Sequence, residues 1–483
     1  MGKLSERIEE YVAGGLTPFH MPGHKRKTED LPEMLRGLYG WDLTEVPGTD
    51  DLQDPEEGGM LKEALERAAD LYGAEESFFL LGGSTIGVLT AISAATDFGG
   101  TILLQRSSHK SAYHAAELRG LSLKYLSGEK GGDAADAVVG VEEVRERVES
   151  DPAIRAVFLT SPSYAGYSDD LRRIAEYLHT RKIPLIVDAA HGAHFGMAEF
   201  LPENAVQAGA DLTVMSLHKM LPAPTQTALL HIGKGADRTL RERVRHFLGI
   251  YQSTSPSYPL MAGIDHCICL LQKWKSEGNA VWQAWYERRK CLSRKLRELK
   301  QINVIDHFTD TDGPKPEIGK LLLCPKDRRS GYRLEELLRT KYLCQAEMAL
   351  PQYVLLICTV MDTAEDYEHL AEALRKIDAE EDFSGKAENA EAGPGMEELP
   401  EAVMTLLEAS GRPTERIPVL KAVGRICASS VSVYPPGRPM VLPGERITET
   451  MAARIEKLRR AGAHLHGVSP EGEITVLPET EGI

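Results

Sequence analysis

"ADLTVMSLHKMLPAPTQTALLHI", Ala210 to Ile232, runs an apolar segment, LTVM, straight into Ser216, His218 and Lys219. Proline-rich chain follows, and then a second apolar segment, TALLHI. An ordinary surface lysine needs no delivery from a buried strand. A lysine that must shed its proton and form a Schiff base does, because desolvation and neighbouring groups lower its pKa. The stretch predicts two strands of a buried sheet, with a reactive lysine just beyond the first.

The same pattern repeats outward from it. Short apolar runs recur at 77–81, 101–105, 123–127, 156–160, 184–188, 212–216 and 228–232, with helical patterns such as GVEEVRERVES and DLRRIAEYLHTRK between several of them. Continuous apolar strands alternating with helices predict an α/β fold whose mostly parallel sheet is covered on both faces. Ligands of such sheets sit at the carboxyl ends of the strands.

At 483 residues the chain exceeds one core, so two or three domains are expected. The large sheet domain spans 61–270, and linking helices with a small α/β domain span 271–378. A polar, acidic, Gly/Ala-rich linker occupies 379–400, and a compact C-terminal unit, 401–483, is centred on YPPGRPMVLPGE. The net charge of −16 disfavours nonspecific binding to nucleic acid or anionic membrane. No run approaches the roughly 18 apolar residues of a membrane span, and the charged, amphipathic N-terminus does not read as a signal peptide. Seven scattered cysteines read as reduced thiols, and Cys267 and Cys269 lack a second pair for zinc. A cytoplasmic location is expected.

Four further polar clusters fall at strand ends. In LGGSTIGVL, Gly82, Gly83, Ser84 and Thr85 open a helix, and such a terminus offers free N–H groups to a phosphate; a Gly-rich turn with a capping serine is the plain alternative. In RSSHKS, His109 suits stacking on an aromatic ring, against the default of a structural histidine. LTSPSYAGYSDDL offers Thr160, Ser161 and Tyr164, or simply a proline turn. In PLIVDAAHGAHFG, Asp188 closes a wholly apolar strand ahead of His191 and His194. A carboxylate there requires a partner. A protonated ring nitrogen is one; a metal bound by Asp188, His191 and His194 is the rival. The metal leaves Lys219 and the GGST turn without a role. Pyridoxal 5'-phosphate needs an anion site, a carboxylate opposite its ring nitrogen and a lysine for its aldehyde, and the order of clusters suits it better.

This ordering resembles the fold-type I pyridoxal-phosphate enzymes, and more narrowly the ornithine/lysine/arginine decarboxylase family. The motifs are TPFHMPGHKRK (17–27), DLTEVPGTDDLQDPEEG (42–58), GGSTIG, RSSHKS, VDAAHGAHF, SLHKMLPAPTQTALL, QSTSPSYPLMAGID (252–265) and YPPGRPMVLPGE (434–445). The resemblance implies a large domain with a seven-stranded, mostly parallel sheet and a smaller α+β C-terminal part. It implies that Lys219 is the Schiff-base lysine, Asp188 the ring-nitrogen partner and His109 the stacking residue. Gly83, Ser84, Thr85, His191, Ser216 and His218 would contact phosphate or cofactor, with Lys219 or His218 as proton donor. Ser253 and Thr254 would reach a neighbour's phosphate across the interface of a homodimer or dimer-based oligomer, and residues 1–60 would contribute to the active site or the dimer. Ala189 departs from the pattern, since many relatives carry glutamate there. Because TPFHMPGHK begins at residue 17, the resemblance points to the shorter members.

The expected substrate is a basic L-amino acid, arginine first and lysine second, with carbon dioxide as product. An aminotransferase would reuse every cofactor residue but grip the α-carboxylate with an arginine, for which Arg425 and Arg438 are candidates. Glu445, aimed by two proline-glycine corners, is expected to meet the substrate's distal cation.

Overall fold

The protein is described here from a computed structural model, which covers residues 3–27, 29–130, 137–306, 308, 317–383, 400–433, 438–460 and 462–479. The centre of the predicted linker and residues 434–437 of YPPGRPMVLPGE lie outside the described residues. Seven strands form a mixed, mostly parallel sheet: β1 (Glu76–Leu80), β2 (Thr101–Gln105), β3 (Ser122–Leu126), β4 (Ile154–Thr160), β5 (Leu185–Asp188), β6 (Leu212–Ser216) and β7 (Ala228–Ile232). The chain divides into two compact units.

The first unit comprises Met1–Ala94, Pro184–Trp285 and Thr359–Met361. Its strands run in the order β1-β7-β6-β5. β5 and β6 are parallel, with Asp188 opposite Val214, whereas β7 is antiparallel to both β6 and β1. Every residue of β5, β6 and β7 is buried, which is why these strands read as largely apolar runs. The helix Gly83–Ala95 follows β1. The N-terminal helix Lys3–Ala13 is tied down by a buried carboxylate: Asp265 accepts the Leu4 N–H at 2.8 Å and Arg67 Nη2 at 2.6 Å. Asp50 likewise accepts the N–H groups of Glu56 and Leu61, and Tyr258 Oη donates to its carbonyl at 2.6 Å. The TDDLQDPEEG and STSPSY motifs thus meet.

The second unit comprises Ala95–Ile183, Tyr286–Cys358 and Asp362–Ile483. Its share of the large sheet is β4-β2-β3, with β2 parallel to both neighbours. An antiparallel sheet follows, β8 (Ile302–Ile305), β9 (Lys320–Pro325), β10 (Met348–Leu350) and β11 (Tyr353–Ile357), in the order β8-β9-β11-β10. The helix Ala364–Glu380 begins with a reciprocal capping box between Thr363 and Asp366. Toward the C-terminus, β12 (Glu415–Pro418), β13 (Val431–Val433), β14 (Arg438–Val441), β15 (Leu465–His466) and β16 (Glu473–Val476) form two small antiparallel sheets, β12-β16 and β14-β13-β15. They enclose a core that includes Val419, Val431, Val441, Ile455 and Val476. All seven cysteines are unpaired, and among the described residues no helix is long and apolar enough to cross a membrane.

Candidate active site

β5 and β6 are parallel neighbours, and Asp188, opposite Val214, closes β5 two residues short of Ser216, which closes β6. Beyond β6 the chain makes one helical turn, Leu217–Met220, and returns as β7. That turn presents Lys219. Its Nζ lies 3.3 Å from His191 Nε2, a residue 28 positions earlier in the turn after β5. The expected lysine, carboxylate and imidazole are therefore gathered at carboxyl ends of strands.

Burial controls the chemistry of this cluster. Asp188 accepts the Ala190 N–H at 3.1 Å. Desolvation raises its carboxyl above the usual carboxylate range, opposed by the Lys219 charge and by that N–H. His218 moves the other way: burial lowers it below the ordinary histidine value, the Thr227 carbonyl pulls it back up, and Lys219 lowers it further. Since the Thr227 carbonyl only accepts, His218 Nδ1 must carry the proton of their 2.9 Å hydrogen bond. Ser216 Oγ is fully buried and has no hydrogen-bond partner among the described residues. An unsatisfied buried hydroxyl is costly, and an anion or polar ligand at this strand end would satisfy it.

The GGST turn sits in the same unit. Gly83 adopts φ +73°, a left-handed conformation that glycine takes without strain. One turn on, a Cβ at Gly87 would lie 2.6 Å from Leu80 Cδ1 and 2.8 Å from Val214 Cγ1. The missing side chain lets the helix lie directly on β1 and β6. Ser84 is half-buried and Thr85 exposed in the first turn of this helix. Gln252, which sequence reading overlooked, holds the end of β1: its Oε1 accepts the Leu81 N–H at 3.2 Å and its Nε2 donates to the Phe79 carbonyl at 3.0 Å. Its place at the head of QSTSPSY was the available signal.

Ser253 and Thr254 stand exposed after the helix Arg238–Tyr251, and Ser253 engages Ser255 and Gln53. The rival metal set does not assemble. His194 packs its ring on Phe195 and Trp285, at centroid distances of 4.9 and 6.2 Å. No group of three potential ligands is gathered among the described residues.

In the second unit, His109 caps the helix Lys110–Leu118. Its Nδ1 accepts the Ser111 N–H at 3.3 Å and contacts Ser111 Oγ at 2.9 Å. Glu445 corrects the expectation of a substrate contact. It is 2% exposed, and its carboxylate already accepts Arg106 Nη2 at 2.9 Å, Tyr125 Oη at 2.8 Å and the Leu442 N–H at 2.8 Å. A carboxylate with these acceptors taken has little left for a ligand. Arg425, considered for an α-carboxylate, is engaged by Glu415 and by the Leu477 carbonyl. The Arg438 side chain lies outside the described residues.

The donor set fits pyridoxal phosphate: a lysine amine, a desolvated carboxylate, an unsatisfied buried hydroxyl and a helix N-terminus all belong to one unit. Comparison with known proteins points the same way. The family model described as "Orn/Lys/Arg decarboxylase, major domain" matches residues 4–318, and the corresponding C-terminal domain model matches 391–477. An uncharacterized protein of Bacillus subtilis is 34% identical over 466 residues, 93% of this chain and 92% of that one. The arginine decarboxylase of Bacillus anthracis is 30% identical over 470 residues, covering 93% of this chain and 91% of its own. The crystal structure of a Francisella novicida lysine decarboxylase superposes with a TM-score of 0.81 at 16% identity, over 99% of this chain and 81% of that one.

Proposed function

The chain belongs to the ornithine/lysine/arginine decarboxylase family, a family of pyridoxal-phosphate enzymes, and we propose that its substrate is L-arginine, with L-lysine second. The observation that carries the site assignment is the meeting of Lys219, His191 and Asp188 at the ends of β5 and β6. Arginine is favoured because the Bacillus anthracis relative, similar over nearly its whole length, is an arginine decarboxylase.

When bound, the cofactor supplies an electron sink for the electron pair left as the α-carboxylate departs. The protein supplies the rest. Lys219 Nζ would be the amine that holds the cofactor's aldehyde, with His191 Nε2 3.3 Å away, within reach of its proton. Asp188 would keep a proton on the ring nitrogen. Out of water its negative charge is poorly screened, so the carboxylate would attract a protonated ring nitrogen more strongly than an exposed one would. The helix N-terminus with Ser84 and Thr85, together with Ser216 Oγ, would receive the phosphate. His218, with Nδ1–H committed to the Thr227 carbonyl, has Nε2 left to take up a proton and pass it on. The product-forming proton comes from Lys219 or His218.

The exposure of Ser253 and Thr254 supports a homodimer in which each chain completes its neighbour's site. The exposed apolar side chains Phe19 (94%), Met34 (85%) and Met21 (62%) support the same reading for the N-terminal segment. The deciding experiment measures carbon dioxide release from arginine, lysine and ornithine by the pyridoxal-phosphate-loaded protein. Highest kcat/KM with arginine is expected; release from lysine or ornithine alone, or none from any of the three, overturns the assignment.

A further inference from the structure

Within the second unit, the turn that carries His109 is held by a charge pair from the far end of the chain. Arg106 follows β2 directly. Its N–H donates to the Leu126 carbonyl at 2.9 Å, and its own carbonyl accepts Tyr113 Oη at 2.7 Å. Its guanidinium lies over the rings of Tyr125 and Tyr113, at 4.8 and 5.7 Å from their centroids. Glu445, 339 residues away, completes the arrangement with the 2.9 Å contact to Arg106 Nη2, which also donates to the Met440 carbonyl at 3.3 Å. Ser107, Ser108 and His109 are therefore strung between two anchors, Arg106 and Tyr113, that are bonded to each other. Ser108 adds a hydrogen bond from Oγ to the Gln105 carbonyl at 2.6 Å.

We propose that Arg106 and Glu445 are positioning residues for His109, through which the C-terminal domain sets the orientation of that imidazole. The inference rests on the stacking role that the family resemblance implies for His109. A single buried charge left behind by removing either partner is strongly unfavourable, whereas replacing both by apolar groups of similar size is often tolerated. This asymmetry separates positioning from mere stability. The pair does more than a hydrophobic plug would, because only the bidentate-capable guanidinium reaches the Glu445 carboxylate, the Met440 carbonyl and both tyrosine faces from one backbone position.

The test uses the full-length protein in three measurements: hydrogen exchange of the cofactor-free protein over 106–113, visible circular dichroism of bound pyridoxal phosphate, and kcat and KM for arginine. Glu445→Gln is expected to speed exchange across the turn about tenfold. The same variant should weaken the cofactor's dichroic band and lower kcat by roughly ten- to a hundredfold, with KM little changed. The double variant Arg106→Met/Glu445→Leu should regain the melting temperature lost in Glu445→Gln, but neither the band nor kcat. Full recovery of band and kcat in the double variant overturns the proposal, as does a Glu445→Gln protein with raised KM and unchanged band. Unchanged exchange across 106–113 overturns it as well. A wild-type protein without a visible cofactor band would instead sink the functional assignment, and the exchange measurement, made without cofactor, still decides the clamp.

Discussion

Asp188, His218 and His231 are all displaced from ordinary titration by the same cause, removal from water. For Asp188 the raised folded value means that the folded state holds its proton more tightly than the unfolded chain does. Its contribution to stability is present at low pH and is lost as pH rises through the carboxylate range. Asp188→Asn should accordingly stabilise the cofactor-free protein at neutral pH, read as a higher Tm. It should also lower kcat by about 10²- to 10³-fold, since an amide cannot hold the ring nitrogen protonated. A variant with unaltered kcat would return Asp188 to a structural role. Lys219→Ala should abolish turnover together with the visible cofactor absorbance; near wild-type activity there would remove the basis of the site.

His231 is the opposite case. Fully buried on β7, with Nδ1 2.7 Å from Ser77 Oγ, it is pushed down to about 3. A depressed histidine stabilises the folded state above its unfolded pKa, and that stability is lost as pH falls. Between roughly 6.5 and 3, unfolding takes up one proton at this position, a slope of about 1.4 kcal/mol per pH unit. Urea titrations of His231→Gln at a series of pH values near 5 should show a pH dependence shallower by that slope. An unchanged dependence would mean that His231 titrates normally.

Among the elements, the helix Gly83–Ala95 bears most directly on the site, because its N-terminus reaches strand ends only if its second turn lies flat on β1 and β6. Gly87 permits that approach. Alanine is the better helix former by about 1 kcal/mol, yet a methyl group here would fall within 2.8 Å of Val214 Cγ1, in a strand that is buried throughout. Overpacking of this kind costs about 1–3 kcal/mol. The overlap should outweigh the propensity gain. Gly87→Ala is expected to lower Tm and, by lifting the helix, to raise the dissociation constant for pyridoxal phosphate. Tighter binding of the cofactor by this variant would mean that the helix N-terminus is not its phosphate site. The glycine was visible in GGSTIG, but its reason was not: a helical glycine shows no demand until the surface beneath it is known.

For the assembly, the prediction concerns two chains. If Ser253 and Thr254 act on a neighbour's phosphate, Lys219→Ala and Ser253→Ala/Thr254→Val proteins should complement each other. Half of randomly reassembled dimers would be mixed, each with one intact site of two, so a mixture refolded together should recover about a quarter of wild-type activity. Recovery of none would place both sets of residues in one chain's site.

Local apolar runs determined the strands of the large sheet, because burial on both faces leaves a largely apolar signature in β5, β6 and β7, interrupted by Thr213 and His231. A polar residue closing such a run can only sit at the strand's end, so Asp188, Ser216 and Lys219 were legible as a group before any fold was known. What the tertiary structure alone decided was pairing over distance. His191 meets Lys219 because β5 and β6 are parallel neighbours. Gln252 holds β1 from 171 positions away, and Glu445 pairs with Arg106 across 339. Nothing local marks such partners, since a buried charge is stable only beside its complement, and which complement is nearest is settled by packing.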